Sequence, residues 1–286
     1  MTTTSLIIQS LQEINLQHPQ LQTIVALTQA AAITSINSHA VRLEGVDIAP
    51  QTFNEIQQHC FSNAWDVTAV ETPHYLSDFK LVAMDMDSTL ITIECIDEIA
   101  DMQGLKPQVA EITEAAMRGE LEFQESLIRR VALLKGLDAS ALQRVFDERL
   151  QLSLGAAPML KAIQAAGLKT LLVSGGFTFF TDRMKAMLNL DYSHSNVLEI
   201  DNGKLTGKVI GTIVDADEKQ RTVQRICQEL QITPQQAIVM GDGANDLKMM
   251  SVAGMSVAFR AKPVVRAQAN VALNFVGLDG ILNILQ

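Results

Sequence analysis

Residues 81–89 read LVAMDMDST, four apolar residues running into two aspartates one residue apart and then a Ser-Thr turn. Leu81, Val82, Ala83 and Met84 show no apolar/polar alternation, the pattern of a strand covered on both faces of a parallel sheet. Side-chain direction repeats every two residues in a strand, so Asp85 and Asp87 leave its end on the same side. Two unpaired acids held there repel one another and lose hydration, and a bound cation is the simplest remedy. Taken alone, a single DxD is more often an Asp-rich turn capping the next helix. The rest of the chain decides between the two.

Working outward, the chain has 286 residues, 48% hydrophobic and 19% charged, enough for about two domains and a sizeable core. A net charge of -10 and a pI near 5.0 argue against broad binding to nucleic acid or anionic membrane, which would be repelled. A small anionic substrate remains compatible through a local cationic cluster. The three cysteines, Cys60, Cys95 and Cys227, are odd in number and far apart, which fits a reducing compartment and gives no metal-ligand spacing. The first residues lack the basic start and apolar stretch of a signal peptide, and no run of 18 apolar residues occurs, so a cytoplasmic location is expected.

Before the central strand, residues 1–72 alternate short strand-like and helix-like pieces, with strands expected at 40–46 and 66–71 around a helix near 51–63. This reads as a small α+β unit ending at a linker near Pro73, where periodicity stops. It is expected to be regulatory, ligand-binding or oligomerising, or else a structural extension. His18, His39, His59 and His74 are isolated and read as surface or capping residues.

After the central strand, residues 97–153 turn helical in four pieces separated by Gly104, Gly119 and Gly136, glycine near a helix end being a stop signal. They stand between two strands and so form an insertion above the sheet edge. In the third piece Phe123, Leu127, Arg130 and Leu134 share one face, which puts Arg130 on an apolar stripe and Arg129 off it. An inward guanidinium needs an anion, either a ligand or a neighbouring acid such as Glu111 or Glu114.

From Pro158 the βα alternation resumes, with a helix at 158–166 and a strand at 169–174 that ends in Ser174-Gly175-Gly176. Glycines let backbone N–H groups approach an anion closely, so this is a phosphate-cradle pattern, although SGG also makes ordinary turns. Residues 197–211 are a hairpin with Asn202-Gly203 at the turn, expected as a flap over or beside the site. Lys219 begins a helix at a βα junction, and most lysines in such a place are solvated. The strand 237–240 runs into Gly241-Asp242-Gly243, with Asn245 and Asp246 on the following turn, and strands at 255–259 and 271–275 complete the sheet. Capping accounts for Asp246 but less easily for Asp242. Alternating strands and helices predict a doubly wound, Rossmann-like parallel sheet, whose ligands bind at the carboxyl ends of the strands. Asp85, Asp87, Ser174 and Asp242 all stand at such ends. Oxygen donors with no histidine or cysteine nearby favour Mg²⁺, which characteristically joins carboxylates to phosphate.

DMDST, the Ser174-Gly175-Gly176 strand end, Lys219 and GDGAND together resemble the four motifs of the haloacid dehalogenase (HAD) superfamily of phosphatases. The runs DMDSTLITIECIDEIA, AMRGELEFQESLIRRVALLKG and VSGGFTFF extend the resemblance, over about residues 80–286, to the branch that hydrolyses phosphoserine. The resemblance implies a HAD core at 77–96 and 154–286, a helical cap at 97–153 and a small N-terminal α+β domain at 1–76, the last only weakly ACT-like. It implies Asp85 as the nucleophile that becomes an aspartyl phosphate and Asp87 as the acid, then the base for water. Ser174, Gly175 and Lys219 would hold the phosphoryl oxygens. Mg²⁺ would be held by the Asp85 side chain, the Asp87 backbone carbonyl and Asp242, with Asn245 and Asp246 supporting. Glu94 would meet the substrate ammonium and Arg130 its carboxylate, with Met117 and Phe123 packing from the cap. The implied activity is Mg²⁺-dependent hydrolysis of O-phospho-L-serine, the last step of serine synthesis. A homodimer and an amino-acid effector at the N-terminal domain are compatible with it.

Overall fold

The computed structural model describes residues 4–118 and 120–285, apart from the side chain of Met117. The helix stop expected at Gly119 therefore lies outside the described residues.

The N-terminal unit runs β1 (Thr4–Ser10), α1 (Pro19–Thr28), β2 (Ala32–Asn37), β3 (Ala40–Val46), α2 (Pro50–Ser62) and β4 (Trp65–Val70), with antiparallel sheet order β2-β3-β1-β4. Sequence periodicity locates β3, α2 and β4 to within a residue but does not single out β1, α1 or β2. The reason is burial. Leu6 and Ile8 of β1 belong to the core under the two helices, whereas Ile7 between them belongs to the main core. A strand covered on both faces loses its alternation. His18 accepts from the Gln20 N–H at the start of α1, a capping role as read from the sequence.

The second sheet begins with β5 (Leu81–Met84) and receives four inserted helices, α3 (Cys95–Asp101), α4 (Lys106–Met117), α5 (Phe123–Leu133) and α6 (Ser140–Glu148), before it resumes. It continues through α7 (Ala156–Ala165), β6 (Lys169–Phe177), α8 (Thr178–Leu188), β7 (Tyr192–Asp201), β8 (Lys204–Ile210), α9 (Ala216–Glu229), β9 (Ala237–Gly241), α10 (Leu247–Met250), β10 (Met255–Phe259), α11 (Pro263–Arg266) and β11 (Val271–Leu273). Its order is β11-β10-β9-β5-β6-β7-β8, parallel throughout except for β8. After β5 the chain winds outward on one side through β6 and β7, then returns to the other side as β9. A crevice opens at that reversal. Register sets its contents: Met84 pairs with both Leu172 and Met240, so Asp85, Ser174 and Asp242 emerge within two residues of one level.

The hairpin of β7 and β8 is not a flap. Gly136 N–H donates to the Leu205 carbonyl and Leu205 N–H to the Leu137 carbonyl, each at 2.8 Å, so the hairpin tip pairs with the link between α5 and α6. None of its residues lines the catalytic-side crevice. The Asn-Gly signal reports the turn and carries no information about the neighbour it docks on. No helix among the described residues is long and apolar enough to cross a membrane.

Candidate active site

Beyond Met84 the chain leaves the strand through a tight turn, Met86–Leu90, in which Ser88 takes a left-handed conformation at φ 56°. Asp85 is buried at the strand end, where its Oδ1 accepts from the Met86 N–H at 2.7 Å and its Oδ2 lies 2.8 Å from Lys219 Nζ. Lys219 is fully buried and reaches Asp246 Oδ1 at 2.7 Å. The sequence prior of a solvated lysine is thus reversed: a buried ammonium survives only when paired. Asp246 does more than cap, since its Oδ2 also accepts from the Asp242 and Gly243 N–H groups at 3.2 and 3.1 Å. Thr89 donates to Asp242 Oδ1 at 3.1 Å and ties the first strand end to the second.

Carboxylate oxygens of Asp85, Asp242 and Asp246 lie within 4.8 Å of one another. Burial pushes the Asp85 carboxyl well up, Asp246 pushes it further, and Lys219 opposes. Burial, then Asp246 and Glu94, raise Asp242 to about 7. Burial works against charge on Lys219, yet Asp246 and Asp85 outweigh it and hold its pKa above the ordinary value. The one ammonium is shared by Asp85 and Asp246, and among the described residues Asp242 has no cation in contact, so further positive charge at the cluster would favour the ionised forms of Asp85 and Asp242. An all-oxygen donor set of this kind fits a hard divalent cation.

Asp87 lines the same crevice with Oδ1 buried and without a hydrogen-bond partner. Burial, then Glu94, raises its pKa to about 8, against hydrogen bonding from Cys95. The expectation of no cysteine near the acids is therefore corrected. Cys95 opens α3 beside Asp87, but burial and Asp87 itself push the thiol up, so it stays protonated rather than acting as a soft ligand. At Gly176 a Cβ would lie 3.0 Å from Asp87 Oδ2, so the glycine is what lets the two strand ends meet.

Opposite the acids the cap closes a crevice of about 690 Å³. Phe123 and Arg130 line it from α5, and Glu94, Ser174, Gly175 and Asn245 complete the lining. Phe123 approaches so closely that a Cβ on Gly175 would sit 3.1 Å from its Cζ. Burial lowers the Arg130 pKa, and Asp97, Glu94 and Asp87 oppose that fall. Its acidic neighbours are thus those of the crevice, and neither Glu111 nor Glu114 is its partner; Glu114 pairs with Arg118. Glu94 Oε1 accepts from Ser88 Oγ at 2.6 Å, and burial raises its pKa. Lys219 and Asp246 stand behind Asp85 rather than on the crevice wall, and the Met117 side chain lies outside the described residues. Sequence reading missed Ser88, Thr89, Cys95, Asp97 and Lys262. Lys262 alone carried a signal, since it follows the carboxyl end of β10 and its N–H donates to the Asp242 carbonyl at 3.1 Å.

Residues 79–254 match the family model for haloacid dehalogenase-like hydrolases. A phosphoserine phosphatase from Polaromonas sp. is 56% identical over 226 residues, 77% of this chain and 96% of that one. A HAD-family hydrolase from Salmonella enterica serovar Typhi superimposes with a TM-score of 0.89 at 31% identity, over 99% of both chains. A structure described as a phospho-aspartyl intermediate analogue of phosphoserine phosphatase gives 0.69 at 36% identity, over 73% of this chain and 99% of that one. With the family model covering more than half its length and a relative this similar along nearly all of its own, the chain belongs to the haloacid dehalogenase-like hydrolases.

Proposed function

We propose that the protein hydrolyses O-phospho-L-serine to L-serine and phosphate through an aspartyl phosphate on Asp85. The observation that carries this reading is one crevice lined both by the carboxylates Asp85 and Asp87 and by Glu94 and the guanidinium of Arg130. Asp85 attacks phosphorus as the bond to the serine oxygen breaks, and Asp87 gives its proton to that leaving oxygen. A pKa near 8 keeps Asp87 protonated at neutral pH for this first half. The resulting Asp87 carboxylate then takes a proton from water as the water attacks phosphorus, which frees phosphate and returns Asp85 to a carboxylate. Ser174 and Gly175 hold the phosphoryl oxygens, and Lys219, 2.8 Å behind Asp85 Oδ2, offsets their charge. Arg130 takes the substrate carboxylate, Glu94 its ammonium, and Phe123 packs against it.

Mg²⁺ would be held by the Asp85 side chain, the Asp87 backbone carbonyl and Asp242, with Asn245 and Asp246 in support. Bound there, it offsets the charge that a phosphate monoester brings to Asp85. The division of labour follows as a core at 77–96 and 154–286, a cap at 97–153 and a regulatory unit at 1–76. An amino-acid effector and a homodimer contact are assigned to that unit, whose elements run βαββαβ, and the protein is taken to work in the cytoplasm. Phosphate release from phosphoserine, measured with Mg²⁺ and with EDTA, tests the reading. Release is expected only with the metal and at least about a thousandfold slower in Asp85→Asn. An Asp85→Asn protein with normal turnover overturns it.

A further inference from the structure

The residue that sets the phosphate cradle in place lies on neither motif strand. Between Val173 and Phe177 the ladder of β6 and β7 breaks register, and Ser174, Gly175 and Gly176 bulge out of it. A bulge leaves backbone groups without ladder partners, and buried ones must find others. Asn196 on β7, opposite Phe177 and almost wholly buried, supplies one: its Nδ2 donates to the Gly175 carbonyl at 2.8 Å. The N–H of that same peptide unit, on Gly176, donates to Ser174 Oγ at 2.9 Å. A peptide is planar, so holding its oxygen and its N–H fixes the whole plane. With Oγ already accepting, the Ser174 proton is free to donate into the crevice. The other end of the Asn196 amide accepts from the Val214 N–H at 2.8 Å. Val214 leads directly into Asp215, whose carboxylate caps α9 by accepting from the Glu218 N–H, and Lys219 follows in the first turn.

We infer that Asn196 is a positioning residue for phosphoryl transfer: one amide joins the Ser174-Gly175 cradle to the start of the Lys219 helix and fixes their separation. The inference rests on the phosphatase reading above and adds to it a residue that would touch no substrate atom. Loss of the Nδ2 donor frees the Gly175 peptide to rotate, and a displacement of about 1 Å near reacting atoms costs up to about a hundredfold in rate.

Wild-type turnover of phosphoserine is measured first, since its absence would overturn the phosphatase reading and not this inference. Asn196→Asp keeps the acceptor for Val214 and places an oxygen against the Gly175 carbonyl; Asn196→Ala removes both bonds. Both are expected to lower kcat about tenfold to a hundredfold. Both are expected to weaken inhibition by inorganic phosphate by at least about tenfold, well below their melting temperatures, with Asp the worse in kcat per degree of melting temperature lost. Ile56→Val, which opens space in the N-terminal core, is expected to lower the melting temperature while leaving kcat unchanged. Folded variants with wild-type kcat and phosphate inhibition would overturn the inference. Should neither variant fold, amide exchange on the wild-type protein decides: protected Gly176 and Val214 amides are required, and exchange at the rate of an exposed loop refutes it.

Discussion

In the proposed activity Arg130 takes the substrate carboxylate and so bears on substrate choice. It is partly buried, among the described residues its one direct hydrogen bond is a 3.4 Å contact from Nε to the Ser126 carbonyl, and it lines the crevice. A guanidinium so placed is costly until a carboxylate arrives, and an Arg–carboxylate pair is commonly bidentate. Arg130→Met is expected to raise KM for phosphoserine about a hundredfold or more, equivalent to roughly 3 kcal/mol. Phosphoethanolamine, which lacks the carboxylate, should be turned over equally slowly by both proteins. Steady-state kinetics on the two esters checks this, and an equal loss on both would remove Arg130 from carboxylate recognition. Arg130 was legible in the sequence because helical spacing alone places it on an apolar stripe. Cys95 and Thr89 were not: each acts through a partner brought close by the fold, Asp87 for the thiol and the distant Asp242 for the hydroxyl. Small residues with non-local partners leave no periodic trace.

Elements carry the site as much as residues do, and the β7–β8 hairpin is the case where sequence named the element but misplaced its work. Gly207, at φ 81°, faces α5 so closely that a Cβ would lie 2.9 Å from Lys135 Cβ and 3.2 Å from the Ala132 carbonyl oxygen. The hairpin therefore buttresses the cap helix that bears Phe123 and Arg130. Gly207→Ala must strain its own backbone and push α5, at a cost of about 1–3 kcal/mol. It is expected to raise KM for phosphoserine several-fold along with lowering the melting temperature. Gly203, in the turn of the same hairpin at φ 76°, meets nothing within 4 Å. Gly203→Ala should cost only about 1–2 kcal/mol of backbone strain and leave KM alone. Equal KM values in the two variants would show that α5 does not depend on the hairpin. The strands around the crevice were readable because each is a short apolar run ending in a chemically marked turn. β1 and β2 were not, β1 being buried on both faces and β2 exposed along most of its length.

The whole molecule is bound together by buried polar contacts between its two sheets. Asp66 on β4 is buried and accepts from the Asn274 N–H and Nδ2 and from the Phe275 and Val276 N–H groups, at 2.8 to 3.0 Å. Phe61 stacks on Phe275 at 5.1 Å between ring centroids, and Gln9 accepts from Asn283. Because Ile7 and Val70 also enter the main core, N-terminal unit and core should unfold in one transition that reports on events at the crevice. Metal binding is such an event. In the metal-free protein Asp85 is raised, Asp242 titrates near 7 and Asp87 near 8, against about 3.8 when unfolded. Between pH 4 and 8 the folded state thus binds more protons than the unfolded state, and its stability falls as pH rises. Burial raises Asp66 as well, adding to the same trend without any dependence on metal. A cation held by Asp85 and Asp242 needs those two carboxyls ionised, so its binding must displace protons. At pH 6 a carboxyl titrating near 7 is about nine-tenths protonated, which weakens apparent affinity roughly tenfold relative to pH 8. At one limiting Mg²⁺ concentration this amounts to about 1.4 kcal/mol less stabilisation. The rise in melting temperature on adding Mg²⁺ is therefore expected to be larger at pH 8 than at pH 6, with proton release measurable by titration calorimetry in buffers of different ionisation enthalpy. A shift at pH 6 equal to or greater than that at pH 8 would mean that the cation does not displace protons from Asp85 and Asp242.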